Sequence, residues 1–262
     1  MTDSVPQRYQ RLIVQLLSDD SAGRRAMAAQ TLAEANFPQV HRALEQARRD
    51  SDMMVVRSAN VSLLRLGSRE LEAEMLATLR SLTTPHAIAA AMALGEARCQ
   101  RALPDLLDVF ASDTRRPLVM AIARALGAMG DKRAVASLCR ALGRPGVGET
   151  AAEALGTISD PRSVGPLLRA LSGSTNAGAR AQSARSLGRI ARRMRNPDFS
   201  ATIAPALEEA MLSDDRRVRM NAALSLWQLA DPARDESALR ELRKLSQATQ
   251  PVIISGEGSA AY

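Results

Sequence analysis

Aromatic residues are nearly missing: one tryptophan, two tyrosines and three phenylalanines in 262 residues. That excludes a core built on rings. It also speaks against sites that work by stacking, whether a single-strand nucleic-acid platform or an aromatic-walled pocket for a large conjugated ligand. Lysine is scarcer still, with Lys132 and Lys244 alone, so the formal net charge of +7 rests on arginine. Cys99 and Cys139 are too few for a disulfide framework and form no metal-type cluster, so reduced thiols are expected. His41 and His86 stand alone, without the His-Glu or His-x-x-x-His spacing that sets ligands on one helix face. No stretch approaches the roughly 20 apolar residues that span a bilayer. A soluble cytoplasmic protein without membrane insertion, metal or cofactor is expected.

What is present is repetition in small aliphatic residues. The stretch Ala154-Leu155-Gly156-Thr157-Ile158-Ser159-Asp160-Pro161-Arg162-Ser163-Val164-Gly165-Pro166-Leu167-Leu168 echoes Ala125-Leu126-Gly127-Ala128-Met129-Gly130-Asp131-Lys132-Arg133-Ala134-Val135-Ala136-Ser137-Leu138. Self-similarity at this period means stacked helix pairs, an all-α superhelix in which each unit buries its apolar face against its neighbours. Aligning Leu32, Leu66, Leu94, Leu126, Leu155, Leu187 and Leu226 near the ends of second helices parses seven pairs, at steps of 28 to 39 residues. Proline at the start and glycine after the leucine mark the helix ends.

The fourth pair is expected at Ala102–Phe110 and Pro117–Leu126, the fifth at Ala134–Leu142 and Gly148–Leu155, the sixth at Val164–Leu171 and Ala177–Arg193. The seventh falls at Ala201–Met211 and Asp214–Leu229, with Trp227 where earlier pairs have glycine. Glu236–Ser246 is expected to cap the apolar end, so that residues 1–247 form one array and 248–262 a flexible tail.

The pattern Asp160-Pro161-Arg162-Ser163-Val164-Gly165-Pro166-Leu167-Leu168, followed by runs such as Val56-Arg57-Ser58-Ala59 and Val218-Arg219-Met220-Asn221-Ala222-Ala223-Leu224-Ser225-Leu226, resembles the short bacterial HEAT-like repeats first associated with phycobilisome bilin lyases. The resemblance covers nearly residues 7 to 247 and implies the fold. It spans lyases, adaptors, enzyme regulators and assembly factors, so it selects no single activity. Pairs four and five depart from the Val-Arg element, with Pro117-Leu118-Val119 and Gly148-Glu149-Thr150. The isolated histidines argue against a metal-dependent hydroxylase of the HEAT type.

Residues 161 to 235 hold twelve arginines against seven acids, five of the seven net positive charges. Arg24, Arg57, Arg180 and Arg219 fall early in second helices, three of them with Asp20, Asp52 or Asp215 shortly upstream. They read as a structural ladder between repeats. Arg185, Arg189 and Arg192 share a helix face by their four- and three-residue steps, with Arg193 and Arg195 nearby. If second helices line the concave side, Arg116, Arg124, Arg185, Arg189, Arg192 and Arg217 contribute to a basic strip, the candidate partner-binding surface. Glu149 and Glu153, one turn apart, are expected in solvent or salt-bridged to pair six. Met53, Met54, Met75, Met92, Met120, Met129 and Met211 are assigned to the core, and Trp227 to the contact with the capping helix.

No catalytic constellation is found. The expected function is a non-enzymatic scaffold or adaptor for a protein with an acidic patch. Nucleic-acid binding is the first alternative and a bilin-lyase-like role the second. Oligomeric state is open.

Overall fold

Short polar side chains and prolines set the helix starts. Ser21, Asp52, Ser68 and Asp215 each accept a backbone N–H bond from two or three residues ahead. Pro38, Pro85, Pro104 and Pro117 occupy first helical turns, where their missing N–H costs nothing.

The computed structural model describes residues 5–81, 83–194 and 197–229, together with Arg240 and Lys244. Its seven helix pairs are α1 (Gln7–Ser18) and α2 (Ala22–Leu32), α3 (Pro38–Ala47) and α4 (Met53–Arg65), α5 (Arg69–Leu79) and α6 (Thr84–Glu96), α7 (Leu103–Ser112) and α8 (Arg116–Met129), α9 (Val135–Ala141) and α10 (Gly148–Ile158), α11 (Val164–Gly173) and α12 (Ala177–Met194), and α13 (Pro197–Ala210) and α14 (Arg216–Gln228). Short 3-10 turns lead into α7, α9 and α11. No strand occurs among the described residues, and the architecture is the expected α-α solenoid.

Second helices pack closely on one another, whereas among successive first helices only α1 with α3 and α11 with α13 pack to any extent, and less closely. A double layer that is tight on one side and splayed on the other bends toward its tight side. The exposed edges of the second helices therefore line the inner face.

The seam between second helices is made of small residues. A β-carbon on Gly95 would lie 2.5 Å from the Ala125 Cβ, and one on Gly188 would lie 2.5 Å from the Ser225 Cβ. Gly127 meets Ala154 and Gly156 meets Ser186 in the same way. Serine hydroxyls complete the seam. Ser62 donates to the Ala29 carbonyl at 2.8 Å, Ser186 to Ala152 at 2.8 Å and Ser225 to Ala184 at 2.9 Å.

In these bonds the serine stands immediately before the unit's leucine, and the acceptor three residues before the previous one. By that rule the leucine of the second unit is Leu63, not Leu66. Leu63 is fully buried and Leu66 only partly. With Leu63, the steps become 31, 31, 32, 29, 32 and 39 residues. Gly67 confirms the shift. It has a φ of 85° and stands, like Arg98, Gly130 and Ser159, four residues after its leucine in a left-handed turn. It is a turn residue, unlike Gly95, which is a seam residue.

The corrected register places Leu64 where the other units before the seventh carry Ala33 or glycine. α4 and α6 accordingly make far fewer close approaches than the other neighbouring second helices. Two polar contacts cross this wider gap: Arg57 pairs with Glu96 at 2.6 Å, and Arg65 donates to the Glu96 carbonyl.

Among pairs four to seven, three boundaries differ from expectation by three residues or more. α8 and α10 run three residues further, to Met129 and Ile158, because their turns come only at Gly130 and Ser159. α13 begins at Pro197, so the extra length of the sixth-to-seventh step lies in long α12 and α13 helices and not in a loop. The expected capping helix Glu236–Ser246 and the tail lie outside the described residues, apart from Arg240 and Lys244.

Candidate interaction surface

Most arginines with close partners hold units together. Arg25 makes a bidentate bond to Asp50 of the next unit at 2.8 Å, with both side chains about one-seventh exposed. This bond holds the Asp50 carboxyl below its usual range and lifts the guanidinium further. Arg48 reaches Glu74, Arg80 reaches Asp105, and Arg101 reaches the buried Glu72. Arg115 and Arg144 donate to the carbonyls of Ser81 and Phe110 at the C-terminal ends of first helices in preceding units, and Arg162 donates to that of Lys132 in the turn leading into α9.

The Asp-x-Arg pattern has a common local chemistry. Asp113, Asp131 and Asp160 each accept the backbone N–H and the guanidinium of the arginine two residues on. The side-chain bonds come first and the backbone bond adds to them, so all three carboxyls sit below their ordinary range.

The expected ladder is present only in part: Arg57 and Arg180 reach the next unit, Arg24 and Arg219 bond within their own, and Arg25 makes the first crossing in place of Arg24. In the corrected register, Arg25, Arg180 and Arg219 are equivalent, seven residues before their leucines. Arg180 donates to the Ser213 hydroxyl of the next unit, while Arg219 donates to the Ser213 and Asp214 carbonyls of its own turn. Arg24 instead pairs with Asp19 inside its unit, and Arg57 pairs with Glu96, not with Asp52. Asp52 is spent on capping α4.

The inner face carries residues six and two before, and two after, each leucine. In α8 these are Met120, Arg124 and Ala128; in α10, Glu149, Glu153 and Thr157; in α14, Met220, Leu224 and Gln228. α12 contributes Arg185 and Arg189 at the last two positions. One row across the array therefore reads Met92, Arg124, Glu153, Arg185 and Leu224. Arg124, Arg185 and Arg189 make no hydrogen bond or ion pair with any described residue.

The six arginines of the expected strip do not fall in one row. Arg124, Arg185 and Arg189 lie in the inner rows. Arg116 lies at the N-terminal margin, its side chain over Gly146. Arg217 lies at the same margin, and Arg192 sits near the opposite end of its helix. Fourteen helical positions separate the levels of Arg217 and Arg192, about 21 Å along the axis. Arg217 is also engaged: it reaches across the whole sixth unit to the Glu149 carboxylate at 2.7 Å. Gly178 makes room for that crossing, since a β-carbon there would press on the Glu149 carboxylate. Glu149 thus bonds to pair seven, not pair six.

Several apolar residues expected in the core lie outside it. Met53 is 74% exposed, Met54 57% and Met92 38%. Met92 lies in an inner row and Met53 and Met54 at the N-terminal margin of α4, and no neighbour covers them. Trp227, assigned to the contact with a capping helix that lies outside the described residues, is half exposed, and Met220 and Leu224, for which no place is expected from the sequence, are 38% and 36% exposed. Met220 and Leu224 are recognisable only once the leucine register is correct.

Burial pushes the Cys99 and Cys139 thiols up, Arg169 pulling the latter part of the way back. Both thus favour the unreactive thiol at neutral pH. Among the described residues, no group of three or more His, Cys, Asp or Glu side chains is arranged to hold a metal. No described helix is long and apolar enough to cross a membrane.

A sequence profile described as HEAT repeats matches residues 72–149 and 144–227. No curated protein matches the chain significantly. Among solved structures, the CpcE–CpcF complex of phycocyanin lyase from Nostoc sp. PCC7120 is similar at 21% identity and a TM-score of 0.43, over 93% of this chain and 96% of that one. An engineered protein is similar at 20% identity and a TM-score of 0.48, over 92% of this chain and 72% of that one. Human deoxyhypusine hydroxylase follows at 20% identity and a TM-score of 0.28, over 92% and 94%.

Proposed function

The chain belongs to the HEAT-repeat family, and on that premise we propose that it is a non-enzymatic scaffold or adaptor of the cytoplasm that binds an acidic protein surface through its inner, second-helix face. One observation carries this reading. Arg25, Arg48 and Arg101 are spent on neighbouring units, whereas Arg124, Arg185 and Arg189 stand in the inner rows without a partner in the described residues. Glu149 is neutralised by Arg217, leaving Glu153 as the unpaired carboxylate of α10 between the arginines of α8 and α12. A preformed array presents these charges with little ordering cost, and free guanidiniums favour planar carboxylate partners.

The test is affinity capture from lysate with the wild type and with Arg185, Arg189 and Arg192 changed to Glu, each with and without nuclease. A protein retained by the wild type, lost by the variant and indifferent to nuclease supports the reading. Equal capture by both proteins refutes it. Loss of capture on nuclease treatment transfers the surface to nucleic acid.

A further inference from the structure

The C-terminal end of the inner face combines two features found together nowhere else in the described residues. Met220, Leu224 and Trp227 follow one another at four- and three-residue steps on α14, so they form a single apolar ridge, each more than a third exposed. Alongside runs α12, with five arginines and no acid; α14 adds three more arginines and again no acid. The two helices are locked in register by the Gly188–Ser225 seam, by the Ser225–Ala184 bond and by a 2.9 Å bond from the Asn221 side chain to the Ala181 carbonyl. That register sets Arg185 level with Leu224, and Arg189 one turn further along. The result is an apolar ridge with a row of unpaired guanidiniums on one flank.

We infer that this ridge docks an amphipathic helix of a partner protein whose apolar stripe is flanked by Asp or Glu, which deepens the scaffold reading and rests on it. The chemistry selects that occupant. Apolar side chains at such steps match the i, i+4, i+7 stripe of a helix. The neighbouring arginines demand carboxylates on one edge of that helix and repel a basic one. A phosphate backbone would satisfy the arginines and leave the ridge uncovered. The chain's own residues 230–262 carry five acids against four basic side chains and are the rival occupant, one that would cover the ridge and leave nothing to enrich.

Trp227 is the chain's sole tryptophan, so its emission reports on this site alone. A display library of random 18-residue helical peptides lacking tryptophan is selected against the full chain, and the enriched peptides are titrated by fluorescence. Acid-flanked amphipathic sequences should emerge, shift the emission to the blue and shield Trp227 from acrylamide. Their binding should weaken by about tenfold or more in Arg185→Glu/Arg189→Glu and in Leu224→Ser, where unchanged circular dichroism rules out misfolding.

The inference is overturned if nothing enriches, if enriched peptides lack either the acids or the stripe, or if they bind without changing Trp227. It is also overturned if the shift appears with DNA probes, or on raising protein concentration without peptide. The scaffold reading is separable. A lysate partner lost with Arg185, Arg189 and Arg192 changed to Glu, but kept by Met220→Ser/Leu224→Ser, retains the scaffold and rejects the ridge.

Discussion

Replacing Gly188 by alanine tests the seam on which the whole array depends. The new β-carbon would stand 2.5 Å from the Cβ and 2.9 Å from the Cα of Ser225. Ordinary carbon contacts lie at about 3.5–4.0 Å, so α12 and α14 must separate by about 1 Å. Rotating a side chain cannot relieve the clash, because both Ser225 atoms are fixed to the backbone. Overpacking of this kind costs about 1–3 kcal/mol. Separation also stretches the bond from the Ser225 hydroxyl to the Ala184 carbonyl, and a buried hydroxyl left without its acceptor costs about 1–3 kcal/mol more. Alanine returns about 1 kcal/mol through its better helix propensity. The net loss expected is about 1–5 kcal/mol.

Urea unfolding followed by helical circular dichroism measures it, with amide hydrogen exchange added because a repeat array can open locally. Protection should fall in α12 and α14 before it falls in α6 and α8. Gly173→Ala is the control, since nothing lies within 4 Å of its β-carbon position. A Gly188→Ala protein as stable as the wild type, with unchanged exchange, would refute the close-packed seam.

Three other outcomes follow from the same geometry. Leu155→Ala and Leu63→Ala should each cost about 2–5 kcal/mol, and Leu66→Ala clearly less; equal losses at Leu63 and Leu66 in urea melts would undo the corrected register. Arg98 holds a φ of 53° at the turn position that glycine occupies in two other units, so Arg98→Gly should stabilise by about 0.5–1 kcal/mol, read as a higher urea midpoint. The carboxyls of Asp50, Asp113, Asp131 and Asp160 are held below their ordinary range by arginine and backbone bonds. The folded state therefore binds fewer protons than the unfolded chain. Stability from these groups is complete above the unfolded carboxylate value of about 3.9 and is lost as pH falls through the depressed native values. Asp160→Asn should flatten that acid limb in thermal melts at pH 2–5, and an unchanged limb would remove Asp160 from the account.

Read along the chain, the leucines, prolines and Asp-x-Arg turns announced a helical solenoid of seven units because each acts locally, through a helix period, a capped N-terminus or a fixed φ. Local signals could not distinguish Leu63 from Leu66, since both lie on one apolar face three residues apart. That choice was made between units, by the hydroxyl of Ser62 against the carbonyl of Ala29. The two classes of glycine were equally mixed in the sequence. Gly67 and Gly95 each follow a leucine, yet one sits in a left-handed turn and the other admits a neighbouring helix.

Charge separated the levels most sharply. The sequence by itself determined that arginine would dominate the C-terminal half, and that few rings would be available for stacking. Only the tertiary structure decided which guanidiniums are consumed, because a partner such as Asp50 for Arg25 or Glu149 for Arg217 is supplied from 25 to 68 residues away. It likewise moved Met53, Met54 and Met92 out of the core. Hydropathy assigns a side chain to the interior, but burial needs a neighbour, and at the exposed edges of a curved stack there is none.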